Sequence, residues 1–132
     1  YFWKNTVRAN FVQKRMTRLL IYSSSPRCRA LLDGLLRHNE VSIATVGSRE
    51  EFFEKCLTER FDKVVTDDVR MFMNGCNAVE RIRQGQGRKA EIIVIAHDMS
   101  ENTVLALLEC GVHQYLSFPC SPTRLKRKLC GV

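Results

Sequence analysis

Chemistry in this chain of 132 residues is to be sought where short apolar runs end: at Ser23-Ser24, at Asp67-Asp68, at Ala96-His97-Asp98 and at Phe118. Carboxylates in such places can hold a hard cation, so a Mg²⁺ site is the first thing to test. Magnesium needs oxygen ligands with enough charge to offset its dehydration, and one carboxylate with two serine hydroxyls is a poor set. Adjacent strand residues point to opposite faces, so Asp67 is expected to look away from the pocket of Asp68. Ser23-Ser24-Ser25 reads most simply as a turn and helix N-cap. His97 has no identified partner and is read neither as a base nor as an acceptor. The cysteines at 28, 56, 76, 110, 120 and 130 form no C-x-x-C pair and have no His at metal-ligand spacing. They are expected to be reduced and mostly buried thiols. No metal and no cofactor is expected.

The elements that would position these residues alternate along the chain. Leu19-Leu20-Ile21-Tyr22 is strand-like, and Pro26 opens a helix with an apolar stripe of Leu31, Leu32, Leu35 and Leu36. Val41–Val46 alternates as a strand, and Ser48 with Glu51 forms a capping box before Phe52, Phe53, Cys56 and Leu57. Lys63–Thr66 is a third short strand. Asn74-Gly75 leads into a helix with Ala78, Val79 and Ile82, expected to dissolve at Gly85-Gln86-Gly87. Ile92–Ala96 is apolar throughout, as befits a central parallel strand covered on both faces. Ser100 caps a helix through Leu105, Leu107 and Leu108 that stops at Gly111. Tyr115–Phe118 is the last strand, and Ser121-Pro122 starts a basic final helix with Leu125 and Leu129. Alternation of this kind predicts an α/β fold: a five-stranded parallel sheet, doubly wound, with right-handed crossovers. Such sheets work at the carboxyl ends of their strands.

Charge divides the chain. Residues 1–32 hold seven of the 21 basic residues and no acid, which leaves 14 bases against 14 acids in the remainder. The net charge of +7 therefore belongs to the leading segment. Trp3, Val7 and Phe11 recur at helical spacing there, so residues 1–17 read as a basic amphipathic extension and 18–132 as the domain. Aromatics followed by Lys and Arg also resemble the cytoplasmic edge of a membrane span, although no apolar run approaches the ~20 residues of a spanning helix. A near-neutral domain argues against nucleic acid as its partner.

The stretch Asp68-Val69-Arg70-Met71-Phe72-Met73-Asn74-Gly75 resembles the D-x-x-M-P-x-M-[DN]-G signature of response-regulator (CheY-like) receivers, with the flavodoxin-like fold that implies. Ala78–Arg83 continues in the same style. Ser25–Leu32 resembles the opening helix of that family, and Gly111, Tyr115 and Pro119 fall at its glycine, switch aromatic and late proline. The resemblance covers about residues 18–130. It implies an aspartate that accepts a phosphoryl group, an acidic pair that holds Mg²⁺, and a Ser or Thr and a Lys that bind phosphoryl oxygens. Asp68 matches the acceptor. Ser23 and Ser24 stand for the acidic pair, Ala96 for the hydroxyl residue and Phe118 for the lysine. Phe72 replaces the signature proline, and His97 replaces a small residue, which narrows access to Asp68. A dianionic phosphoryl donor would meet uncompensated like charge from Asp67, Asp68 and Asp98.

The reading that follows is a degenerate receiver, from a hybrid sensor kinase or phosphorelay protein, working by interaction and not as an enzyme. Its expected partner is a histidine kinase, a phosphotransfer domain or a neighbouring domain of the same chain, with self-association as a homodimer also in view and no small-molecule substrate. Tyr115 and the basic face of Arg124, Lys126, Arg127 and Lys128 are the candidate switch and contact residues. The expected location is the cytoplasm, as a free protein or the cytosolic part of a membrane-anchored sensor. An alternative keeps phosphorylation on Asp68. A third has the basic surfaces bind nucleic acid or acidic lipid.

Overall fold

A computed structural model describes residues 16–73, 77–87, 89–97, 100–118 and 120–130 of the chain. Its strands are β1 (Thr17–Tyr22), β2 (Val41–Val46), β3 (Lys63–Thr66), β4 (Glu91–His97) and β5 (Gln114–Phe118). Between and after them lie α1 (Pro26–Leu36), α2 (Arg49–Thr58), a 3₁₀ turn (Val69–Phe72), α3 (Ala78–Gln86), α4 (Glu101–Cys110) and α5 (Pro122–Cys130). The sheet is parallel throughout, in the order β2-β1-β3-β4-β5. The connections leaving β1 and β3 diverge to opposite edges, so a crevice opens at the strand tips between them. The expected N-terminal amphipathic helix and the residues Asn74, Gly75, Asp98 and Pro119 lie outside the described residues.

Strand alternation sorts the core into two layers. Leu20, Tyr22, Val64, Ile92 and Val94 pack with Phe52, Phe53, Ile82 and Leu107 on one face. Leu19, Ile21, Val65, Ile93, Ile95 and Leu116 pack with Leu32, Leu36, Leu125 and Leu129 on the other. Side chains alternate across a strand, so this parity decides which strand-tip residues can meet.

The helix ends follow their chemistry. Ser25, Ser48 and Ser100 each accept a bond from a first-turn amide and cap α1, α2 and α4. Gly111 closes α4 at φ 107°, where a side chain would be strained.

Two expectations need correction. The stripes were drawn too wide: Leu31, Leu57, Leu105 and Leu108 are exposed, while Leu32, Leu36 and Leu107 are buried. Each helix lies against a single face of the sheet and buries only a narrow arc. The expected end of α3 at Gly85-Gln86-Gly87 holds: the helix runs to Gln86 and closes at Gly87, φ 73°. A Cβ at Gly85 would overlap the backbone carbonyl of Cys56, so this glycine lets α3 cross α2 closely. Buried Gln86 then ties the crossing. Its amide nitrogen donates to the carbonyls of Cys56 (2.7 Å) and Glu59, and its oxygen accepts from the Phe61 amide at 2.8 Å. The other correction concerns the thiols: Cys28, Cys56, Cys110 and Cys120 are free, but of these only Cys56 is buried; Cys28 and Cys120 are half-buried and Cys110 is exposed.

Candidate functional site

Parity separates the two aspartates. Strand β3 ends at Thr66, and the two chains leave the sheet side by side with Tyr22 opposite Thr66. Ser23 and Asp67 therefore follow Ile21 and Val65 toward the layer of α1 and α5. The Ser23 hydroxyl, fully buried, donates to the Asp67 carboxylate at 2.8 Å and accepts from the Ser25 amide at 3.1 Å. Cys28, on the first turns of α1, is in reach of both groups. Burial pushes its thiol up, the Ser23 hydroxyl opposes this, and the negative charge of Asp67 adds to it.

Asp68 turns to the opposite layer. Its carboxylate accepts from Arg49 Nε at 2.7 Å and Arg49 Nη2 at 3.1 Å, a two-pronged pair. The Tyr22 hydroxyl donates to it at 3.0 Å, and the Met71 amide at 3.3 Å, which makes Asp68 the cap of the 3₁₀ turn. Burial alone would raise the Asp68 carboxyl. The bonds from Arg49 and Tyr22 and the guanidinium charge outweigh it and hold the group below its ordinary value. The Tyr22 hydroxyl is raised, first by burial and then by Asp68. The Tyr22 ring stacks on Phe52 with centroids 5.4 Å apart, so the carboxylate rests on the core.

The expected pocket of Ser23 and Ser24 around Asp68 is thus not the arrangement found. Ser23 meets Asp67, Ser24 is exposed, and Asp68 is enclosed by Arg49 and Tyr22 on the far side of the backbone. The expectation that Asp67 and Asp68 face apart does hold. Nor is the strand tip without cations: besides Arg49, Arg29 donates to the Ser23 carbonyl at 2.6 Å. Counting the signature from Asp67 removes a residue of slippage. Met73, Asn74 and Gly75 then fall six, seven and eight places on, where the signature has Met, Asp or Asn, and Gly, with Arg70 and Met71 in place of Met-Pro.

At the tips of β4 and β5 the rings of His97 and Phe118 lie 5.5 Å apart, tilted at 41°. Phe118 packs against the α1–α5 layer, the layer to which Asp67 turns. Ala96 is half-buried one residue earlier on β4. Among the described residues, no group of three or more His, Cys, Asp or Glu side chains could hold a metal ion. Tyr115 is 38% exposed and lines a shallow groove with Glu101, Val104, Leu105 and Ser117. Arg124, Lys126 and Arg127 are exposed on α5; Lys128 is half-buried, its carbonyl accepting from Lys63. No described helix is long and apolar enough to cross a membrane.

Sequence reasoning did not find Arg49, Arg29 or Tyr22. Arg49 stands beside a capping serine and gives no local sign that it reaches a carboxylate 19 residues further on.

The sequence profile of the response regulator receiver domain matches residues 19–130. The chain belongs to that family. Among solved structures it is similar to the Vibrio cholerae chemotaxis protein CheY4, with 22% identity and TM-score 0.73 over 86% of this chain and 96% of that one. A response regulator protein from Burkholderia pseudomallei with a phosphorylated aspartic acid gives 16% identity and TM-score 0.71, over 86% of this receiver and 66% of that chain. A pilus assembly protein, CpaE, from Burkholderia thailandensis gives 19% and 0.68, over 86% and 95%. At these identities the likeness is one of fold. No curated protein matches the chain.

Proposed function

We propose that this receiver is a non-catalytic interaction module of two-component or phosphorelay signalling, and that its acceptor position is Asp67, not Asp68. One observation carries the reading: the residue that follows β1 and faces Asp67 is Ser23, which offers a hydroxyl where a metal-holding carboxylate would be needed. Ser24, next in the chain, is exposed and uncharged, so neither serine brings charge to a Mg²⁺ ion. Ala96 and Phe118 stand where a hydroxyl and an ammonium would bind phosphoryl oxygens, and the His97 ring lies 5.5 Å from that of Phe118. A phosphoryl group on Asp67 would add charge beside Asp68 with little to compensate it; Arg49 is already bound to Asp68, and Arg29 to a backbone carbonyl.

In this reading the state of the domain is set by contact with a signalling protein, either a histidine kinase, a phosphotransfer domain or a neighbouring domain of the same chain. The basic face of α5 and the groove at Tyr115 are its contact surfaces. Residues 18–132 are the interacting domain and 1–17 a basic linker, in a protein of the cytoplasm or the cytosolic part of a membrane-anchored sensor.

Incubation with a small phosphodonor and Mg²⁺, followed by intact mass, tests the reading. The expected spectrum is that of the unmodified chain. A stoichiometric phosphoryl adduct lost in Asp67→Asn would establish an active receiver instead; one lost only in Asp68→Asn would return the acceptor to Asp68.

A further inference from the structure

We infer that this domain associates head to tail with a second copy of itself, the basic outer face of α5 seating on the acidic outer face of α2. The inference goes beyond the signalling role above and does not depend on which aspartate is the acceptor. On α5, Leu125 and Leu129 are buried and Arg124, Lys126 and Arg127 face outward. That helix carries no acidic residue. On α2, Phe52, Phe53 and Cys56 are buried and Glu50, Glu51 and Glu54 face outward. None of these six charged side chains has an ion pair among the described residues. The two helices pack on opposite layers of the sheet, so the two stripes cannot meet within one molecule.

The stripes match in size as well as sign. Ten and nine helical residues give lengths of roughly 15 Å and 14 Å. Leu57, 62% exposed, lies beside the acidic stripe, and the aliphatic stems of Arg and Lys can cover it. The geometry is heterologous: each copy uses one face to hold and the other to be held, and nothing closes the chain of contacts. Net charge opposes it, because two molecules of +7 repel. At physiological ionic strength the screening length is about 8 Å, so facing charges still attract while the rest of the surface is largely masked. Association is therefore weak and strongest at moderate salt.

Sedimentation equilibrium of the full chain over a wide protein concentration tests this. The weight-average mass is expected to climb with concentration beyond that of a dimer near 0.1 M salt and to fall to the monomer near 1 M. A chain with Glu50, Glu51 and Glu54 all changed to Lys should associate at least about tenfold more weakly, three exposed pairs being lost. The same holds for Arg124, Lys126 and Arg127 all changed to Glu. Mixing the two altered chains should restore association, because each new face then meets its opposite. Unchanged far-UV circular dichroism and urea midpoints show that both are folded. A wild type that stays monomeric at moderate salt, association that survives reversal of the α2 charges, or a mixture that stays apart would each overturn the inference.

Discussion

Replacement of Asp68 by alanine is the perturbation that separates a structural carboxylate from a chemical one. The change removes a cap, a hydroxyl partner and an ion pair together. Loss of the cap on the 3₁₀ turn costs about 1 kcal/mol, the usual value for Asp to Ala at such a position. Leaving the Tyr22 hydroxyl without its acceptor costs about 1 kcal/mol more. The Arg49 side chain is 48% exposed, so its pair with Asp68 is screened and contributes only about 0.5–1 kcal/mol. The sum is about 2–3 kcal/mol. With a urea m-value of about 1.5–2 kcal/mol/M, the midpoint should fall by about 1–2 M. Arg49→Ala alone should cost about 0.5–1 kcal/mol, and the double variant should show coupling of about that size. Asp67→Asn keeps the shape of the side chain and an oxygen for the Ser23 hydroxyl, so it should cost less than about 1 kcal/mol. Equal effects from the two aspartates, or a loss below about 0.5 kcal/mol for Asp68→Ala, would refute this reasoning.

Other predictions follow from the same contacts. The folded Asp68 carboxyl lies below its unfolded value, so its stabilisation is complete above the unfolded carboxylate range and is lost as pH falls through the folded value. Wild type and Asp68→Asn should therefore differ most in urea midpoint at neutral pH and converge below about pH 4. Gly85→Ala forces the α2–α3 crossing apart and should cost about 3 kcal/mol or more, read from chemical denaturation. Gln86→Leu leaves the Phe61 amide and the Cys56 and Glu59 carbonyls without their partner and should cost about 2–4 kcal/mol by the same measurement. Combining Ser23→Asp, Ser24→Asp, Ala96→Thr and Phe118→Lys should confer Mg²⁺-dependent modification by a small phosphodonor, blocked by Asp67→Asn and visible as added mass. No adduct from a folded protein with these four changes would count against Asp67 as the acceptor position.

Local pattern carried most of the architecture. Three capping serines, the alternation in Val41–Val46 and the unbroken apolar run at Ile92–Ile95 each act within a few residues, and these strands and helix starts lie where the pattern put them. The end of α3 was legible in Gly85-Gln86-Gly87, but the close crossing at Gly85 was not, because only the position of Cys56 on another helix reveals it. The apolar helix stripes were too wide for a related reason: Leu31 and Leu57 fit the helical period, but the sheet offers each helix one narrow contact arc. At the strand tips the choice between Asp67 and Asp68 depended on register. The end of β3 at Thr66 sets parity, and parity assigns Ser23 to one carboxylate and Tyr22 to the other. A shift of one residue, invisible in composition, moves the whole site to the opposite face. Arg49 was beyond sequence reasoning altogether, since its reach to Asp68 is a property of how α2 docks.

Soaking crystals of the domain with Mg²⁺ and beryllofluoride probes the strand-tip crevice with the ions that imitate a phosphorylated aspartate. The account predicts a crevice in which Ser23 still donates to Asp67 and neither ion is seated. Metal and beryllofluoride both ordered on Asp67 would contradict it.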